Sequence, residues 1–513
     1  MISREKLEAL IMACMVLISR FACRSHDLYD LDSVNFALAM ERFDPRVHQP
    51  HPPGYFLYVC LGRLCNSMLH DANLALVVLS IAASCGVILI IYKMALDWFG
   101  VRAARFASAL FLFSPLAWFH GTVALTYSVE AFFSALVGYL CWCIDSGSVA
   151  LIGPAGIILG ISAGIRPSSL LFLGPLYLFC LRNVILSRKL LGLAALVLTL
   201  FSWFLPMISA SGGIEAYSGS LVSLWRAVPA TNTLFNSSPV TSIARACTIV
   251  FIYFLAFGAA SLVLVPGLCR TAPTDPKKRL FTIVWIAPAL CFFTFIFLQF
   301  VNSGYLLLMS APACMWLGRW ASEWYASSVW RRSFKLALIG LCATVNVLIF
   351  LTSPFYCSYR SVLRFEAQLE GIRTTLPHLG AADKILIIGF DSHFLGYRHA
   401  GYYLPHYLTV EYPEVKLGEG TRVFAMYQQN TRLLLDVPAS PYSRFVFFPL
   451  PRGDTSYEKY FAKVKTTLPD GGLRTVRVGG SDFVTGSIDL LPILFPNVAT
   501  EGKQSVFPML HPR

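Results

Sequence analysis

The chain has 513 residues, of which 56% are hydrophobic and only 13% charged, and its mean hydropathy is +0.62. That composition excludes a water-soluble protein and sets the class as a polytopic α-helical membrane protein. The net charge of +13 falls in connections between apolar runs, so it is a matter of membrane topology and no nucleic-acid partner is expected.

In chain order, Met1–Cys23 has the basic start and short apolar stretch of a signal peptide. No small-x-small cleavage site follows, so an uncleaved first helix is expected over Leu7–Cys23, with Arg20 snorkelling to the outer surface. Next comes Leu28–Tyr58, which gathers Asp30, Asp32, Glu41, Asp44, His48 and His51 with four prolines in otherwise apolar surroundings. A hydrophobic chain has no need of such a segment to fill space, which makes it the first place to look for chemistry. Gly54–Leu69 is apolar but short and is interrupted by Arg63, Asn66 and Ser67, so it reads as a helix lying in the interface.

Spans are then expected at Asn73–Tyr92, Arg105–Phe119, Tyr127–Ile144, Val149–Ile165, Ser168–Val184, Leu190–Ala210, Ile243–Leu268, Leu280–Phe300, Gly304–Ala321 and Lys335–Leu351. With the first helix they number about eleven, apolar runs of about 20 residues being what crosses a ~30 Å hydrocarbon core as helices. If the amino end is cytoplasmic and Gly54–Leu69 does not cross, Lys93/Arg102/Arg105, Arg182/Arg188/Lys189, Arg270/Lys277/Lys278/Arg279 and Arg319/Arg331/Arg332/Lys335 all fall inside. Letting that segment cross would turn every basic cluster outward. The odd count places Ser353–Arg513 outside.

That tail changes character. Lys384–Phe390, Leu408–Glu411, Thr421–Tyr427, Thr431–Val437, Arg444–Pro449 and Phe483–Ile488 read as strands, and Leu363–Leu376 and Ser456–Thr467 as helices. The expected division is a transmembrane module over 1–353, with its first external loop at 24–72, and an extracytoplasmic α/β domain over 354–513. All cysteines but Cys357 lie in or beside apolar runs, and no C-x-x-C pair occurs, so they read as small buried hydrophobes.

Glu130 is the only acid well inside a span, one turn from the outer end of its helix, while Arg166 sits in an R-P-S turn. Gln299, Asn302 and Tyr305 mark another outer turn. Charge inside a span is costly and is kept mainly for function. Asp32-Ser33 followed by His51-Pro52-Pro53-Gly54-Tyr55, with the F-S-P…E-A segment Phe113–Ala131 and the R-P-S turn, resembles the first external loop and following spans of the protein O-mannosyltransferases. The lipid A aminoarabinose transferases are more distant relatives, all within the glycosyltransferase-C superfamily.

The resemblance implies an inverting transfer of a sugar from a polyprenyl-phosphate donor to an acceptor hydroxyl of a glycan, lipid or protein, among membrane lipids. The loop Asp, Asp32, would be the general base, the one essential carboxylate, with Glu130 grouped beside it at the catalytic site to orient donor and acceptor. Asp30, His51, Tyr55, Arg166, Gln299 and Tyr305 would bind or orient donor and acceptor. Ser33 stands where the family has Glu, which removes one candidate ligand for a divalent metal and leaves any cofactor open. The bland readings are that Asp32 is a helix N-cap, that His51 merely starts the interfacial helix, that Glu130 and Arg166 form a structural tie, and that Gln299 and Tyr305 are satisfied turn residues. Two rival functions are a multi-pass transporter or lipid flippase, and a membrane anchor whose tail is a binding module. The compartment expected is a bacterial cytoplasmic membrane.

Overall fold

A computed structural model describes residues 3–222, 239–258, 275–296, 303–328, 330–354, 356–389, 393–416, 423–428, 431–436, 441–447, 473–478 and 481–490. It divides into two compact units, Met1–Ser25 with Pro53–Ser361, and His26–Pro52 with Val362–Arg513. The early helices are α1 (Arg4–Ala22), α2 (Leu31–Glu41), α3 (Phe56–Leu69), α4 (Ala72–Phe99), α5 (Val101–Leu112), α6 (Pro115–His120), α7 (Tyr127–Asp145), α8 (Ile152–Ile165), α9 (Ser168–Cys180) and α10 (Leu186–Ala210). All but α2 belong to the first unit.

Among the described residues, α4, α7, α10, Pro276–Ile296 and Arg332–Thr352 are long and apolar enough to cross a membrane, and α9 is among several shorter apolar helices. Their outward faces carry Leu171, Leu198, Leu205, Ile283 and Leu341, all exposed. In water such a surface would be an aggregation liability, whereas lipid satisfies it. The chain is an integral membrane protein with mostly helical architecture and a small sheet near its carboxy end. At one end of the helices, Asp145 takes Arg182 at 2.9 Å and Lys277 at 3.2 Å, so two of the basic connections expected on a common side do meet.

Two expectations are corrected here. The single span over Arg105–Phe119 is two helices, because Pro115 cannot donate its nitrogen to continue α5 and Ser114 caps α6 by accepting the Ala117 N–H. Arg20 does not snorkel. It is fully buried, its Nη2 donates to Leu112 O at 2.9 Å, and its guanidinium lies 4.7 Å from the Trp118 ring. The carboxy end of α5 leaves carbonyls without helical partners and carries the negative pole of the helix, which draws the cation inward.

The second unit is built on a seven-stranded sheet. Its strands are β1 (Ile385–Gly389), β2 (Leu408–Lys416), β3 (Val423–Gln428), β4 (Thr431–Asp436), β5 (Arg444–Phe447), β6 (Leu473–Val478) and β7 (Ser481–Ser487), in the order β4-β3-β2-β1-β5-β7-β6. β1 runs parallel to both β2 and β5, and the remaining pairs are antiparallel. The unbroken I-L-I-I of β1 suits a central strand covered on both faces, and every one of its residues is buried.

Helix Tyr359–Leu379 buries Val362, Phe365, Leu369, Ile372 and Leu376, the 3–4 spacing of an amphipathic helix. Each such side chain contributes roughly 1.5–3 kcal/mol by leaving water. β6 was not anticipated, although Gly479-Gly480 between it and β7 is a hairpin signal in the sequence. The expected helix Ser456–Thr467 lies outside the described residues.

Candidate functional site

The segment 26–52, read from the sequence as part of a transmembrane module's loop, folds within the sheet-bearing unit. Leu28 N–H donates to Tyr403 Oη at 2.6 Å, Leu31 N–H to His393 O at 2.8 Å, and Arg373 pairs with Asp27 at 3.1 Å. The Tyr29 ring lies 5.3 Å from Phe365 and 5.0 Å from Phe394. These contacts fix the start of α2.

There Asp30, and not Asp32, is the cap: its carboxylate accepts the Asp32 N–H at 2.9 Å. Asp32, in the first turn, is left to face His51, whose Nδ1 lies 3.1 Å from its Oδ1. The Asp32 side chain stays 27% exposed, so a substrate can reach it, while Asp30 is buried. Burial pushes the Asp30 carboxyl up to about 7, with Asp32 adding repulsion and His393 opposing it. His48, on the same turn as His51, is pushed down to about 4 by burial and by the Arg398 cation.

A carboxyl whose folded pKa is raised stabilises the fold while protonated. That contribution is therefore complete below 3.8 and is lost as pH climbs through about 7. Asp30→Asn keeps the cap and removes the titration. Thermal unfolding between these limits is expected to fall with pH for the wild type and to lose much of that slope in the variant; parallel curves would overturn the assignment.

The other expected residues gather in the first unit. Arg166 ends α8 in extended backbone, and Pro167 then starts the turn into α9, so the guanidinium is set at a helix junction. Its Nε lies 3.4 Å from Glu130 Oε2, and Nη1 donates to Thr126 Oγ1 at 3.0 Å. Ser169 Oγ donates to the other Glu130 oxygen at 3.3 Å. Three rings fence the cation: Tyr305 at 4.1 Å, Tyr127 at 4.6 Å and Tyr55 at 5.6 Å. Both charges are buried, so each depends on the other for its compensation.

Thus Asp30, Asp32 and His51 stand together in one unit, and Glu130, Arg166, Tyr55 and Tyr305 in the other. Gln299 and Asn302 lie outside the described residues. Thr126, Tyr127, Ser169, His393 and Arg398 were not picked out from the sequence. Tyr127, at the start of the helix that carries Glu130, offered the clearest signal. Among the described residues no group of three or more His, Cys, Asp or Glu side chains is placed to hold a metal ion.

The fold is an ArnT-like polytopic helical membrane architecture of the glycosyltransferase-C type. ArnT from Cupriavidus metallidurans bound to undecaprenyl phosphate matches with a TM-score of 0.57 at 14% identity, over 93% of this chain and 97% of that one. The apo state of the same protein matches with a TM-score of 0.56 at 13% identity, over 95% and 99%. More particularly, residues 45–185 match the family profile described as the protein O-mannosyl-transferase TMEM260 N-terminal domain. That stretch holds His51, Tyr55, Glu130 and Arg166 but not Asp30 or Asp32. Among curated protein sequences none matches the chain. The resemblance to the protein O-mannosyltransferases is borne out over residues 45–185, the stretch with His51-Pro52-Pro53, the F-S-P…E-A segment and the R-P-S turn.

Proposed function

We propose that the chain transfers a monosaccharide, with inversion, from a polyprenyl-phosphate donor to an acceptor hydroxyl on the outer face of a bacterial cytoplasmic membrane. The observation that carries this reading is the Asp32 carboxylate, reachable by substrate, held off the cap by Asp30 and oriented by His51 at 3.1 Å. As the acceptor oxygen attacks the anomeric carbon, its proton passes to Asp32. The bond from that carbon to the phosphate oxygen breaks, and polyprenyl phosphate leaves as an anion that needs no proton.

Within the first unit, Arg166, oriented by Glu130 and Thr126 and fenced by the tyrosine rings, is the candidate cation for a phosphate. The likeness to a protein crystallised with undecaprenyl phosphate supports such a donor. The amino end is then cytoplasmic and the sheet-bearing domain extracytoplasmic.

Purified full-length protein in proteoliposomes, offered a panel of radiolabelled undecaprenyl-phosphate hexoses, is expected to move label from the lipid to an acceptor or to water. Label carried across the bilayer with the sugar still on its lipid would instead establish a flippase.

A further inference from the structure

The turn that presents His51 is held from the far end of the sequence. Asp44 opens it by taking Arg46 Nε at 2.8 Å, and the Gln49 N–H returns to Asp44 O at 3.0 Å. Within the turn, the Val47 carbonyl accepts Arg398 Nη2 at 3.2 Å, across 351 residues of chain. Arg398 is 3% exposed, lies 5.4 Å from the Tyr397 ring, and its Nη1 has no hydrogen-bond partner among the described residues. Burying a guanidinium is costly, and here the hydrogen bond it makes among the described residues is to a backbone carbonyl.

Arg398 stands on helix Tyr397–Tyr403, which packs on α2, β1 and β2. The contact with β1 is close at the backbone: a Cβ at Gly389 would lie 2.5 Å from Tyr397 Cα, so glycine lets strand and helix touch. One short helix therefore links the sheet, the helix that carries Asp32 and the turn that carries His51.

We propose that Arg398 is a positioning residue for the Asp32–His51 pair, fixing the Val47 carbonyl so that the imidazole stays against the carboxylate. The inference rests on the reading of Asp32 as the base. It gives the carboxy-terminal domain a task, which is to mould the turn beside that base. A lysine has the charge but not the planar fork, so it replaces the arginine only in part.

The test uses the full-length protein in proteoliposomes and whichever undecaprenyl-phosphate hexose the wild type consumes fastest. Arg398→Met is expected to lower kcat about ten- to hundred-fold with donor KM unchanged, and Arg398→Lys to fall between it and the wild type. In a His51→Ala background, either substitution should cost less than about threefold more, because both changes remove the same constraint. Equal losses in the two backgrounds would overturn the inference, leaving Arg398 as a general support of the fold. If Arg398→Met does not accumulate, the cycle with Arg398→Lys decides in the same way. Full turnover by Asp32→Asn would remove the base reading itself. An inactive Asp32→Asn with additive Arg398 and His51 losses would remove only the role of Arg398.

Discussion

Asp32→Asn is expected to lower kcat by about 10²–10⁴-fold, the usual worth of a positioned proton acceptor, while donor KM and thermal stability stay close to wild type. The reasoning starts at the cap. Because Asp30 accepts the Asp32 N–H, α2 does not depend on the Asp32 side chain for its start. An amide of nearly the same volume therefore leaves the fold alone and removes only the basic oxygen that faces His51. Steady-state kinetics on the donor consumed by the wild type, together with thermal melts of both proteins, check the two halves separately. A kcat within about threefold of wild type would place the base elsewhere.

Glu130→Ala should be the most damaging single change to stability, at about 3–5 kcal/mol, since it strands the Arg166 cation in the interior. Glu130 is 1% exposed and Arg166 3%, so neither charge can turn to solvent. Glu130→Leu combined with Arg166→Met removes both charges and should recover much of the loss. The double variant then separates a structural tie from a donor site. If Arg166 holds the donor phosphate, donor KM rises about tenfold or more, as expected for losing a charge-assisted hydrogen bond of about 1.5–3 kcal/mol. A folded double variant with wild-type donor KM would make the pair purely structural.

The parts of the fold legible in the sequence were those set by local pattern. The apolar runs that became α4, α7 and α10, and the β-branched run of β1, announce themselves because burial periodicity is written in neighbouring residues. The carboxylates and histidines of the first loop were legible as an anomaly of composition. The assignment of roles among them was harder. Asp30 and Asp32 are two positions apart on the same helix entry, and only the position of the Asp32 amide decides which one caps.

Arg20 was misjudged because its partner, the Leu112 carbonyl, is 92 residues away, and it becomes a partner only when Pro115 ends α5. The same holds for Arg398, whose contact with Val47 has no local trace. Long-range hydrogen bonds to backbone carbonyls carry no residue-type signature, since every residue has a carbonyl.

The seating of segment 26–52 within the sheet-bearing unit has a consequence for biosynthesis. The ribosome delivers this segment just after the first helix, but Tyr403, which receives the Leu28 amide, emerges 375 residues later. At about 5–20 residues per second the segment waits for tens of seconds, its acids and prolines without their final neighbours. A chain stopped after helix Arg332–Thr352 would insert its spans yet never close this part of the molecule. Competence therefore comes late, as the last third of translation is completed.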